Sequence, residues 1–327
     1  MFRKLTILAA SILLVCLMGP QSALATQTIN LGIGDLLDSD QGKLAQRFKE
    51  IVGELSDGEI DVQLFPGGTL GTEQEMLQNV RSGVLDVAIV STGTLASFVP
   101  HFAALHYPYL IESKDEAIRV TTGYLGSYWN DIGKSRGGFE ILGWAHSGFR
   151  YLTNSRRPVC TLEDLKGLKI RVPQNRITLA TFTAWGAKPV PMAWEETYTS
   201  LQQGVIDGQE APYVPFLEVQ KFITQTHYQY KLSPMVIGTG TLAKLGETTR
   251  NILTRAGLEA QQYHQVHKIH EAENALQRAR DMGIEICSLE DEDTWKEITR
   301  EKVWPQFYDS VGGKLVIDTI LLNIGKL

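Results

Sequence analysis

Two arginines stand where strand-like runs give way to loops. In residues 167–175, GLKIRVPQN, the apolar Leu168, Ile170 and Val172 alternate with Lys169 and Arg171, and Pro173 then ends strand hydrogen bonding. Arg150 lies just past a second candidate strand, Phe139 to Ala145, in the stretch SGFRYLTNS. Alternation alone allows Arg171 to be a wet charge on an edge strand. In an open parallel sheet, however, helices cover both faces and ligands gather beyond the carboxyl ends of strands. A guanidinium there offers a planar fork that makes two parallel charge-assisted bonds to a carboxylate.

Other constellations carry less chemistry. His264, His267 and His270 recur every third residue in a helical stretch and drift around it, so they face one metal ion poorly; a polar helix face is the expectation. His146 and Ser147 are neighbours on a strand and point to opposite faces, which rules them out as a base and nucleophile pair. The glycines of FPGGTLGTEQEM lack the Gly-Lys-Ser/Thr ending of a phosphate loop; Thr72 and Glu75 instead fit a capping box at a helix start. No motif calls for a cofactor or a metal. Cys160 and Cys287 have no CxxC spacing, and their pairing stays open.

The elements that must position the arginines alternate between strand and helix along the chain, which implies βαβ units and a largely parallel sheet. An internal echo points to two similarly built halves: EQEMLQNVRSGVLD and WEETYTSLQQGVID each run from an acidic helix start to a glycine and into a strand. A crossing between halves is expected near Ser147 to Gly148. A helical stretch from about Glu247 to Met282 is long enough to span both.

The chain has 327 residues, 43% hydrophobic and 21% charged, which suits one or two globular domains. Arg3 and Lys4 precede an apolar run from Leu5 to Met18, and Ala23-Leu24-Ala25 gives a small-x-small pattern, so residues 1–25 read as a signal peptide cleaved after about Ala25. Its removal takes the formal net charge from -6 to -8. An acidic protein is a poor general partner for nucleic acid, so any anion must be bound by local positive groups.

The ordered motifs FPGGTLGTEQEM, GVLDVAIVSTG, FVPHFAALHYPYLI, GFRYLTNSRRPV, TLEDLKGLKIRVP, PVPMAWEETYTSLQQGVIDGQEAP and VQKFITQTHY resemble those of the solute-binding proteins of TRAP transporters, the tripartite ATP-independent periplasmic systems that import organic acids. The resemblance covers the chain from Thr28 onward. It implies an α/β, two-lobed periplasmic-binding-protein fold of the type II kind, with the long helix bracing both lobes. Lobe I is expected at 26–147 plus about 236–275, and lobe II at 148–235 plus about 276–327. The resemblance assigns Arg171 the main salt bridge to a ligand carboxylate and places Arg150 nearby. It puts Trp194 on the pocket wall, Ser91, Thr92, Gly34 and Asp35 on the other lobe's contact surface, and Glu210, Ala211 and Tyr213 beside the ligand.

Many sugar-acid-binding relatives carry asparagine where this chain has Ala211, so a sialic-acid-like or heavily hydroxylated ligand is disfavoured and a keto, hydroxy, dicarboxylic or aromatic acid is favoured. Trp194, with Tyr213 and Trp144, could make an apolar chamber for such an acid, while core packing is the competing reading for Trp144 and the one for Trp185. The implied partners are a small organic acid anion and the small and large integral membrane subunits of such a transporter, reached from the periplasm, with no enzymatic activity. A sensor-associated binding protein with the same pocket and a periplasmic enzyme acting on an organic acid are the alternatives.

Overall fold

The computed structural model of the chain describes residues 27–212, 216–267 and 271–327. The expected leader and Tyr213 therefore lie outside the described residues, as do the side chains of His267 and His270. The strands are β1 (Gln27–Ile33), β2 (Ile60–Phe65), β3 (Val87–Ile89), β4 (Phe139–Phe149), β5 (Tyr151–Asn154), β6 (Lys169–Val172), β7 (Lys188–Pro191), β8 (Gly208–Ala211), β9 (Phe222–Gln225), β10 (Tyr230–Gly238) and β11 (Glu285–Ser288). They form two sheets, one in each lobe: β2-β1-β3-β10-β4 and β11-β9-β5-β8-β6-β7. Neither is wholly parallel, because β10 runs against both β3 and β4, and β5 runs against both β8 and β9.

Apolar residues on both faces of each sheet explain the helical layers. In the first lobe, Ile29, Leu31 and Ile33 of β1 pack with Leu44, Phe48 and Val52 of helix α1 (Asp40–Leu55). Met76, Leu77 and Val80 of α2 (Glu73–Ser82) enter a second core that also holds Phe102, Trp129 and Trp144. In the second lobe, Ile170 and Val172 of β6 pack with Phe182 of α3 (Arg176–Ala184), Trp185, Tyr228 and Trp295. Trp185 is a core residue, as the sequence suggested, and so is Trp144, which leaves it out of the expected apolar chamber.

The repeated Gly-Val-Leu/Ile-Asp turn does the same work twice. Gly83 (φ 77°) and Gly204 (φ 69°) adopt the left-handed backbone that closes a helix. Leu85 and Ile206 then enter the core. Asp86 accepts from the backbone N–H of Asn30, and Asp207 from that of Lys169, each at 2.9 Å. Each acid thus ties the incoming strand to a parallel neighbour.

Two of the passages between lobes lie side by side. Arg150 separates β4 from β5, and residues 226–229 separate β9 from β10. The two crossings are bonded to each other, with Arg150 N–H donating to the Gln229 carbonyl and the Thr226 hydroxyl donating to the Arg150 carbonyl, both at 2.9 Å. The expected crossing at Ser147 to Gly148 falls inside β4, and β10 joins the first sheet from Tyr230, ahead of the expected 236. The stretch from Glu247 is described as α4 (Glu247–His267), against α1 and β4, and α5 (Glu271–Asp281), whose Ala275, Leu276 and Ala279 pack with Ile223 of β9.

The C-terminal segment departs from the expected division. Val303, Trp304, Phe307 and Val311, with Ile317, Ile320 and Ile324 of α6 (Lys314–Ile324), pack into the first lobe's core. The apolar stripe of α6 finds its partner there, and Arg119 of that lobe donates to the Ile324 carbonyl at 2.7 Å. Cys160 and Cys287 form a disulfide, with Cα atoms 5.8 Å apart. The fold supplies the proximity that spacing withheld, since Glu290 N–H donates to the Cys160 carbonyl and lays the two segments together. Among the described residues, no helix is long and apolar enough to cross a membrane.

Candidate functional site

β6 is not an edge strand: it lies between β8 and β7, and Arg171 pairs in register with Gln209 on one side and Val190 on the other. As β7 ends, the carbonyl of Met192 turns toward Arg171 and accepts from its Nε at 3.1 Å and its Nη2 at 2.7 Å. The guanidinium carbon sits 5.5 Å from the ring centre of Trp194, which itself stacks on Phe216. Arg171 is 4% exposed. Burial pulls its pKa down to about 10; Glu210 acts against that fall and Arg150 adds to it. Among the described residues, no carboxylate lies within salt-bridge distance of Arg171. Its contacts are a carbonyl and a ring face, and Glu210, Glu73 and Glu195 act on it only beyond salt-bridge distance, so this buried cation has no counter-ion in direct contact.

Arg150 is compensated. Its Nη1 donates to Oε2 of Glu210 at 2.8 Å, and the hydroxyl of Tyr228 donates to the same oxygen at 2.8 Å. The two side chains are 5% and 0% exposed. Burial alone would lower the pKa of Arg150, but Glu210 reverses the effect and the net shift is upward. The Nε of Arg150 is buried with no partner among the described residues.

The facing wall comes from the first lobe. Thr72 and Glu75 form the expected capping box, which starts α2 at Glu73 and aims that side chain inward. One oxygen of Glu73 accepts from the Ser91 N–H (2.9 Å), the Ser91 hydroxyl (2.7 Å) and the Thr94 hydroxyl (2.6 Å). Its other oxygen accepts from Gln41 at 3.2 Å. Burial works to raise the pKa of Glu73, but Lys231 and these donors outweigh it, and the net shift is downward. Lys231 lies 3.4 Å from Asp35 and 5.9 Å from the ring centre of Trp194, and so faces the second lobe.

Between the walls is a cavity of about 160 Å³ lined by Glu73, Ser91 and Lys231 from one lobe and Arg150, Arg171 and Trp194 from the other. Ala211 lines it as well. A neighbouring cavity of about 660 Å³ is lined by Gly34 and Asp35, and shares Trp194 with the first.

Thus Arg171, Arg150, Trp194, Ser91 and Ala211 are brought together, while Gly34 and Asp35 stand at the adjoining space. Glu210 is buried behind Arg150 and holds it. Thr92 departs from expectation: it is 2% exposed and its hydroxyl sits 2.9 Å from Nε2 of His106, because α-helical geometry at Thr92–Phe98 turns it into the core. His264 is buried near Asp40 instead of forming a wet face. Glu73, Thr94, Lys231 and Met192 escaped the sequence reading. Glu73 resembled an ordinary acid in a first helical turn, and Lys231 an ordinary polar position in an alternating strand.

The chain matches the family model described as bacterial extracellular solute-binding protein, family 7, over residues 37–310. It is 30% identical over 295 residues to the 2,3-diketo-L-gulonate-binding periplasmic protein YiaO of Escherichia coli, covering 89% of this chain and 90% of that one. Among solved structures, it superposes with a TM-score of 0.86 on the sugar acid binding protein DctPAm of Advenella mimigardefordensis in complex with galactonate, at 29% identity and covering 92% and 98% of the two chains. A TRAP periplasmic solute-binding protein of Sulfurospirillum deleyianum with bound succinate gives a TM-score of 0.84 at 27% identity, covering 90% and 98%.

Proposed function

The chain belongs to the bacterial extracellular solute-binding proteins of family 7, and from that premise we propose that it captures a hydroxylated monocarboxylate between its lobes and delivers it, unaltered, to TRAP membrane subunits from the periplasm. Arg171, with no counter-ion in direct contact, carries this reading. A ligand carboxylate meeting the free edge of its fork supplies the counter-charge that the protein withholds, and a hydrogen bond to a charged group contributes about 1.5 to 3 kcal/mol.

The charges sort the ligand's two ends. Around Arg171, Glu210 is already paired with Arg150, and Glu73 and Glu195 act on Arg171 without reaching salt-bridge distance, so the direct counter-ion position is open to one carboxylate. Toward the first lobe, Lys231 is opposed by both Glu73 and Asp35, which disfavours a second carboxylate and suits hydroxyl donors. This supports a hydroxy acid of the sugar-acid kind, against the expectation of a less hydroxylated ligand drawn from Ala211, over the dicarboxylic and aromatic acids also expected from sequence. The galactonate of the Advenella protein and the diketogulonate of the Escherichia protein have this chemistry.

Titration calorimetry with D-galactonate, D-erythronate and succinate tests it. A hydroxylated monocarboxylate should bind more tightly than succinate and be recovered intact after incubation. Tightest binding of succinate refutes the charge argument, and conversion of the bound acid refutes simple capture.

A further inference from the structure

Glu195 lies in the second lobe, in the short turn Trp194–Glu196, yet its side chain rests on the first. A Cβ placed on Gly68 would come within 3.0 Å of the Glu195 Cγ, so only glycine, which also holds φ 68° there, admits the contact. The Oε1 of Glu195 is buried and accepts no hydrogen bond among the described residues.

The charges around it come from both sides of the seam. Glu73 at the start of α2 opposes it, and Arg171 on β6 attracts it. Lys231 lies over the adjoining Trp194, Asp35 and Arg278 line the larger cavity that Glu195 shares, and Glu196 beside it is exposed. Burial comes first among the causes that raise its pKa, and the Glu73 charge adds to it; the backbone N–H groups of Glu195 and Glu73 and the charge of Arg171 offset part of the rise.

Two carboxyl groups, one on each lobe, therefore act on each other across the seam, and one of them has an oxygen stripped of water without a hydrogen-bond donor in exchange. We infer that Glu195 is a proton-linked latch: closure takes up a proton on this side chain, so acidification favours the closed form. The direction follows from linkage. A carboxyl whose pKa is higher in the closed form than in the open one stabilises closure fully below its open value, near the ordinary 4.5, and that stabilisation is lost as pH rises through the raised value.

The inference rests on reading the two sheets as lobes that close on a ligand. Its test uses no ligand, so an error in the ligand's identity leaves it decidable. Dyes are attached at Gln78→Cys on α2 and Arg176→Cys on α3, both exposed, with Cys160 and Cys287 engaged in their disulfide. Single-molecule energy transfer then reports the closed-to-open ratio from pH 8 to pH 4. The ratio should rise several-fold on acidification, and in Glu195→Gln it should stay at the acid plateau at every pH. In Glu73→Gln, which removes the facing charge, the rise should move to lower pH. A response that persists in Glu195→Gln, no response in the parent protein, or an unmoved response in Glu73→Gln overturns the latch.

Discussion

Arg150 and Glu210 form a buried ion pair at the point where the chain passes between lobes, with Nη1 2.8 Å from Oε2. The pair fixes a cation at the hinge and leaves the neighbouring Arg171 as the charge still in need of a partner. Removing one member of such a pair strands the other in a low-dielectric interior. Glu210→Ala should therefore cost about 3 to 5 kcal/mol. Tyr228→Phe, which removes only one donor to the same carboxylate, should cost about 1 kcal/mol. Chemical denaturation of the two variants measures both. Equal costs contradict the account of Glu210 as the counter-ion.

The disulfide closes a long loop, since Cys160 and Cys287 are 127 residues apart. Replacing both by serine should lower stability by about 2 to 5 kcal/mol. Ligand affinity should stay within about twofold, because neither residue lines the cavity beside Arg171. Parallel thermal denaturation and calorimetry separate the two effects.

His106 gives the fold a pH dependence. It is buried between the Thr92 hydroxyl (2.9 Å) and the Gln229 amide (2.7 Å), and burial, with a contribution from Arg150, depresses its pKa to about 3. The unfolded chain thus binds a proton here before the folded one does. Stability from this group is intact above the ordinary 6.5 and falls as pH drops from there toward 3. The slope should approach about 1.4 kcal/mol per pH unit and flatten in His106→Gln. Urea melts at several pH values check it, and an unchanged slope in the variant contradicts it.

Gly68 admits Glu195 to the seam. Gly68→Ala adds a methyl group at that contact and strains a left-handed backbone, at a local cost of about 1 kcal/mol. Ligand affinity should fall several-fold, while the unliganded melting temperature changes little. A large loss of stability with intact affinity would show that Gly68 serves the turn alone.

The parts of this molecule legible in sequence are those governed by local pattern. The strand ending at Pro173, the cap at Thr72 and the repeated Gly-Val-Leu/Ile-Asp turn each declare themselves within a dozen residues, and the ordered motifs resemble a family as a whole. What escaped depends on long-range proximity. The two cysteines meet only because β11 lies beside β9, and α6 packs on the first lobe although it follows second-lobe elements. Glu73 and Lys231 gain their roles from facing the other lobe. Thr92 was misplaced by its neighbour Ser91, since adjacent residues at a helix start face different ways.

The account stands on Arg171 as the carboxylate anchor. Arg171→Lys keeps the charge and removes the fork. Calorimetric titration of D-galactonate, or of whichever probe acid binds the parent protein, should show at least a tenfold loss of affinity in this variant with little change in melting temperature. Affinity equal to that of the parent protein would contradict the anchor and the function built on it.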